Sequence, residues 1–235
     1  MKVLLLTLAA LILLIPGCST SKIVNSKQIN LFSKDASTWT LEQCHNVIDF
    51  YSVDNSGGDI YQAKLMRQKV YIRALLLNVN SLKALSRKEV IEKRLENQDY
   101  YDILNNYLDE FLKIGYDKSS DKIIDANENF SWGFTFKVYF ENISDPYEPI
   151  FLADGYSYFF LENLEGEFSR VKEVSGLYVE DYFELDGYLN ATITFSPFSA
   201  GGKRLYENKV LNESYRLVFN GLQRGPIILR WNLNQ

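Results

Sequence analysis

From residue 132 to 141 apolar and polar positions alternate: Trp132, Phe134, Phe136, Val138 and Phe140 are separated by Gly133, Thr135, Lys137 and Tyr139, and Glu141 follows. Successive side chains of a strand point to opposite faces, so a period of two predicts a strand with one dry face. The same period runs through Leu189, Ala191, Ile193 and Phe195, through Tyr215, Leu217 and Phe219, and through Ile227, Leu229, Trp231 and Leu233. Residues 156–161 and 168–174 read as two further strands, joined by a turn at 163–167 that contains Gly166. Asp145-Pro146 and Pro149, the loop 197–203 with Gly201-Gly202, and residues 221–226 supply the remaining turns.

Upstream the period lengthens to about 3.6. Thr40 with Gln43 three residues later forms a capping box, and Trp39 before it is placed to meet Cys44 as a hydrophobic staple. Leu41, Cys44, Val47, Ile48 and Tyr51 then share one helical face, which puts the Cys44 thiol in the core. Asp54-Asn55-Ser56-Gly57-Gly58-Asp59 follows as a polar turn. A calcium-binding loop starting at Asp54 needs Glu at its twelfth position, where Leu65 stands. Residues 60–78 carry mixed signals: 62–68 favour helix by composition, 69–77 a buried strand. Leu82, Leu85, Val90, Ile91 and Leu95, with Ser81 and Ser86 as caps, predict one helix or two short ones. Asn97 is placed to cap a last helix whose apolar face is Tyr100, Tyr101, Leu104, Tyr107, Leu108, Phe111 and Leu112, with Gly115 as its stop. The mixed charges of 87–94 read as a solvated face.

The first residues obey neither period. After Lys2, residues 3–15 are apolar except for Thr7. That run is too short for a bilayer core of ~30 Å and fits the apolar region of an export signal. Leu14-Ile15-Pro16-Gly17-Cys18 resembles the lipobox of bacterial lipoproteins, with Pro16 standing where that family more often has Ala, Ser or Thr. The resemblance implies cleavage between Gly17 and Cys18 and diacylglycerol on the Cys18 sulfur. It also implies, since Ser19 and not Asp follows, sorting to the outer membrane in a Gram-negative cell. Residues 1–17 are then signal peptide. Residues 18–35, rich in Ser, Lys and Asn, read as a lipid-anchored flexible tether.

The expected fold class is α+β: a mostly helical unit over 36–115, then an antiparallel Ig-like β-sandwich over 130–235. Lys137-Val138-Tyr139-Phe140-Glu141-Asn142 before the Pro146 turn resembles the Ig-like modules at the ends of bacterial envelope lipoproteins. That likeness implies partner binding or assembly rather than catalysis.

Composition narrows the chemistry. The 25 Lys+Arg and 30 Asp+Glu leave a net charge of −5 without a basic cluster, so nucleic acid is not an expected partner. With Cys18 acylated, Cys44 is the remaining thiol and no intramolecular disulfide forms. His45 is the one histidine. It follows Cys44 directly, so on a helix the two point about 100° apart and do not form a nucleophile–base couple. No metal and no cofactor is expected, since zinc sites draw on several His or Cys and no dinucleotide or phosphate-loop fingerprint is present. The aromatic-acidic segment 178–188 offers the binding residues Tyr178, Tyr182 and Phe183, because Tyr and Phe give contact area at low entropic cost. The resulting expectation is a membrane-anchored, non-catalytic binding or assembly module of the cell envelope, with membrane lipid bound through Cys18 and an envelope protein as partner. The alternative is a carboxylate-dependent hydrolase of envelope glycans, drawing on Asp145, Glu148 and Asp154 or on Glu180, Asp181, Glu184 and Asp186.

Overall fold

The computed structural model describes residues 35–55, 70–117, 122–124, 133–143, 150–152, 159–163, 165–176, 183–185, 188–205, 215–220 and 226–231. Their dominant element is one antiparallel sheet. Its strands are β1 (Ser52–Asp54), β2 (Val70–Leu77), β5 (Phe134–Asn142), β7 (Phe159–Glu162), β8 (Phe168–Ser175), β10 (Tyr188–Phe195), β11 (Arg216–Phe219) and β12 (Ile227–Arg230). They run side by side in the order β1-β2-β5-β10-β8-β7-β11-β12. Two short pairs lie apart from it: β3 (Gly115–Asp117) with β4 (Lys122–Ile124), and β6 (Ile150–Leu152) with β9 (Phe183–Leu185).

This arrangement corrects the expected helical unit followed by an Ig-like sandwich. β2 comes from the stretch expected to be mostly helical, yet it pairs with β5 from Val70↔Asn142 to Leu77↔Thr135. The sheet therefore runs across the expected boundary between the two units. It also does not divide into two layers. β8 pairs with β7 through Phe168 and Arg170 and with β10 from Val171 onward, with a register irregularity between Thr194 and Phe195. Such an irregularity bends a strand and turns one sheet into the next without an edge. β1 and β12, the two ends of the order, lie against each other. Trp231 Nε1 donates to the Tyr51 carbonyl at 2.9 Å, beside the first residue of β1. The result is a nearly closed, barrel-like sheet of eight strands. Alternation did not distinguish it from a sandwich, because both bury every second side chain.

The interior is solid with rings that meet across it. Phe140 stacks on Phe159 at 6.1 Å and meets Phe219 edge-on at 5.8 Å. Phe136 lies 5.1 Å from Trp231 and 5.8 Å from Phe195. Of the expected inward set of β5, β10, β11 and β12, the members whose side chains are described are thus the core; Trp132, Leu189 and Leu233 are not among them. β5 faces β7, β11 and β12 from the opposite wall.

Three α-helices lie over the outside of β2 and β5: α1 (Leu41–Phe50), α2 (Val79–Lys93) and α3 (Asp99–Tyr107), the last passing into a π-helical turn at Leu108–Leu112. α1 carries the expected capping box, with Gln43 N–H donating to Thr40 Oγ1 at 3.2 Å and Thr40 N–H to Gln43 Oε1 at 2.9 Å. Leu41, expected on its buried stripe, is exposed. α2 is capped by Asn78 and Ser81, which exchange bonds of 2.8 and 2.9 Å. Ser86 is not a cap: it is buried in mid-helix and its hydroxyl donates to the Leu82 carbonyl at 2.9 Å. Asn97 does not cap α3 either; Gln98 holds that position and Asn97 Oδ1 accepts from Arg87 at 2.7 Å. The π turn ends at Lys113 in the left-handed region (φ 55°), so Gly115 is free to open β3. Thr135 Oγ1, 3.0 Å from Thr194 Oγ1, donates to the Phe111 carbonyl at 3.1 Å and ties this turn to the sheet. Helices over its outer face explain the apolar run of β2: Val70, Ile72, Ala74 and Leu76 face inward, while Leu75 and Leu77 are buried on the outside.

Candidate functional site

Because rings fill the barrel, the described clefts lie on its outside, where the helices meet the sheet. The first, about 350 Å³, has Leu77, Leu85 and Phe111 as its apolar surface and Lys88, Glu89, Lys93, Tyr107 and Lys137 around it. The second, about 240 Å³, lies between α1 and the outer faces of β2, β5 and β10 and includes His45, Ile48, Asp49, Arg73 and Tyr139. Lys88 and Lys137 line both, so the two clefts are adjacent and together are called the groove. The geometry follows from two periods: Lys88, Glu89, Glu92 and Lys93 share a face of α2, while Lys137 and Tyr139 are the outward positions of β5.

Four cations line this groove with three carboxylates. Each carboxylate has a partner. Arg73 bonds Asp49 at 2.6 Å, Lys93 bonds Glu89 at 2.6 Å, and Lys88 lies 3.6 Å from Glu92. The Tyr107 hydroxyl also donates to Glu89. Lys93 and Tyr107, both bonding the charged form, hold Glu89 below its usual range. Burial, and then the Glu89 carboxylate, raise Tyr107, which stays a neutral donor. Lys137 makes no hydrogen bond or ion pair among the described residues, but its charge acts on Glu89 and helps to lower it. Four cations against three carboxylates leave the groove with one positive charge in excess. Beside Leu77, Leu85 and Phe111, that excess positive charge suits a ligand group that is both acidic and apolar.

Cys44 and His45 do not converge. Cys44 is buried, its thiol pushed up to about 11 by desolvation, whereas His45 is exposed at the rim of the groove. Two members of the expected polar turn are used by the sheet. Asn55 Nδ2 donates to the Val70 carbonyl and Asn55 Oδ1 accepts from Ile72 N–H, both at 2.9 Å, and Asp54 accepts from the Tyr71 hydroxyl at 3.2 Å. Among the described residues no three His, Cys, Asp or Glu side chains gather as a metal would require. No described helix is long and apolar enough to cross a membrane.

Gly17, Cys18, Tyr178 and Tyr182 lie outside the described residues. Phe183 is placed through its backbone, as the first residue of β9, opposite Leu152. Of the carboxylates considered for glycan hydrolysis, Asp145, Glu148, Asp154, Glu180, Asp181 and Asp186 lie outside the described residues, and Glu184 is placed by backbone pairing with Phe151. Sequence reading missed the groove: Lys137 read as the wet side of a strand and 87–94 as a solvated helix face. Each description is locally correct, and no sequence signal marks that the two faces meet. Comparison with protein-family models, with curated proteins and with solved structures finds no match to this chain.

Proposed function

We propose that the protein is a lipid-anchored binding module of the bacterial envelope. It is held at the membrane through Cys18 and takes an acidic, apolar-bearing segment of an envelope protein into the groove between α2 and β5. The observation that carries the reading is the excess positive charge that Lys137 brings to an apolar surface in a chain of net charge −5. The anchor rests on Gly17-Cys18 after the apolar run of residues 3–15. Two or more acyl chains, at about 0.8 kcal/mol per buried CH₂, make such attachment stable.

A photo-crosslinking amino acid at position 85 tests the groove in native membranes. A discrete protein adduct is expected, and it is expected to be lost in Lys137→Glu with near-ultraviolet circular dichroism unchanged. An adduct that survives Lys137→Glu refutes the groove as the contact. Tyr182→Ala with Phe183→Ala shows whether the aromatic segment adds to it. Release of glycan fragments that a single carboxylate substitution abolishes would establish a hydrolase instead. For the anchor, Cys18→Ser is expected to abolish incorporation of labelled palmitate.

A further inference from the structure

The outward face of the barrel wall opposite the groove is apolar and basic. Antiparallel register places two rows side by side across β12, β11, β7 and β8. One is Ile228, Val218, Phe160 and Arg170; the other is Arg230, Arg216, Glu162 and Phe168. Ile228 is 38 % exposed and Phe168 is 37 % exposed. The rings of Phe160 and Phe168 lie 5.5 Å apart. Phe198, 44 % exposed, sits on the stretch that continues β10 alongside β8, where Ala200 N–H donates to the Phe168 carbonyl at 3.0 Å. Val218 is buried on this outer side, apart from the ring-filled interior.

The charges of this face are sorted. Glu162 is held by Arg216 through two bonds, of 2.7 and 2.6 Å, which leaves the centre of the second row neutral. Glu165 and Glu167 share Lys203 at 3.3 and 3.1 Å, two carboxylates on one cation, in the turn before β8 and so at the edge of the face. Arg170 and Arg230, at opposite corners, have no ion-pair partner among the described residues. Single exposed apolar residues are ordinary, but Phe160, Phe168 and Phe198 lie together on β7, β8 and the stretch beyond β10, and apolar residues grouped in that way mark an interaction surface. Exposed Phe and Ile flanked by unpaired Arg are the groups that partition into an anionic headgroup interface.

We propose that this face rests on the anionic surface of the bilayer to which Cys18 ties the chain, so that the barrel lies on the membrane with its groove turned away. The proposal rests on the anchoring reading above. The anchor makes even a weak face effective, since the second contact becomes intramolecular. The chain from Cys18 to Asp35 spans at most roughly 60 Å at ~3.3–3.6 Å per residue, enough to reach any side of the barrel. The wall opposite β5 is the one presented, because Phe140 meets Phe159 and Phe219, and Phe136 meets Trp231, across the interior. A barrel resting on β7, β11 and β12 therefore holds the groove over β2 and β5 toward a partner outside the membrane.

The test uses the full chain recovered from membranes and placed in vesicles of phosphatidylethanolamine with phosphatidylglycerol, some lipids carrying a nitroxide on the acyl chain. Ile228→Cys and, as control on the groove side, Asn190→Cys are labelled with a bimane. Cys44 is buried and stays unlabelled in the folded protein. Quenching at position 228 several-fold above that at position 190, lost in Arg170→Glu/Arg230→Glu, is expected. Should Ile228→Cys fail to fold, Phe168→Cys carries the same label. Equal, weak quenching at both positions while the protein floats with the vesicles overturns the proposal and leaves the anchor standing. A label at 228 that is shielded from aqueous iodide yet unquenched by lipid means that a protein covers the face, and also overturns it. Failure to float at all defeats the anchor and this orientation with it.

Discussion

Replacing Phe136 by Ala removes a ring from the centre of the barrel. Phe136 is 1 % exposed and its ring meets two others, Trp231 at 5.1 Å and Phe195 at 5.8 Å. Its backbone is held on both sides, by pairing with Leu76 in β2 and with Ile193 in β10, so the wall cannot collapse into the space. Truncations of this kind cost about 3–5 kcal/mol, and a site that cannot relax falls toward the upper end. Against a typical total stability of ~5–15 kcal/mol this is a large share. For a chain of this size each kcal/mol lowers the melting temperature by roughly 2–4 °C, so a loss of about 4–5 kcal/mol is expected to lower it by about 8–20 °C. Urea unfolding followed by tryptophan emission measures the change, with an unaltered m-value as the sign that only stability has moved. A double-mutant cycle with Trp231→Leu, which removes the second ring, isolates the ring contact across the barrel. The Trp231–Tyr51 hydrogen bond is lost with and without Phe136, so it cancels. A coupling of about 0.5–1.5 kcal/mol is expected. An unchanged midpoint, or additivity within ~0.3 kcal/mol, would show that β5 and β12 do not face each other across one core.

Gly133 has φ +115°, and a Cβ there would lie 1.9 Å from the Phe195 carbonyl oxygen, so Gly133→Ala is expected to lower stability by about 2 kcal/mol or more, read in the same urea assay. The Cys44 thiol, pushed up to about 11 by burial, is expected to resist maleimide at pH 8 in the folded protein and to react fully in denaturant; rapid native labelling would contradict its placement. Because the folded value lies above the unfolded one, the stability Cys44 contributes is complete below about pH 9 and lost as pH rises toward 11, so Cys44→Ala is expected to flatten that part of the stability profile. Glu89 runs the other way. Lowered by Lys93 and Tyr107, its contribution is present above its ordinary value near 4.5 and lost as pH falls through the folded one, so Glu89→Gln is expected to reduce acid sensitivity below pH 4.5, measured as melting temperature against pH.

The long strands and the helices were legible in the sequence, whereas the three-residue strands β1, β3, β4, β6 and β9 were not, being too short to show a period. Alternation identified the inward residues of β5, β10, β11 and β12, because a strand sends every second side chain to the same face whatever it pairs with. The Thr40–Gln43 capping box and the burial of Cys44 were legible for a similar reason: both depend on residues within one helical turn of each other. The errors at Ser86, Asn97 and Gly115 share a different cause. Each is a cap-compatible residue whose polar group or backbone freedom the neighbouring turns, or Arg87, used in another way.

What tertiary structure alone decided is which strands are neighbours. An apolar run such as 69–77 says that a strand is covered on both faces; it does not say that the cover is rings inside and helices outside, nor that β5 lies between β2 and β10. Barrel and sandwich bury the same alternate residues, and they separate only where β8 passes from β7 to β10 and where β1 meets β12. These are long-range pairings that leave no local trace. The groove has the same origin. Lys88 and Lys137 are 49 residues apart in the chain, each on the polar face of its own element, and they share a cleft because α2 lies over the outer face of β5.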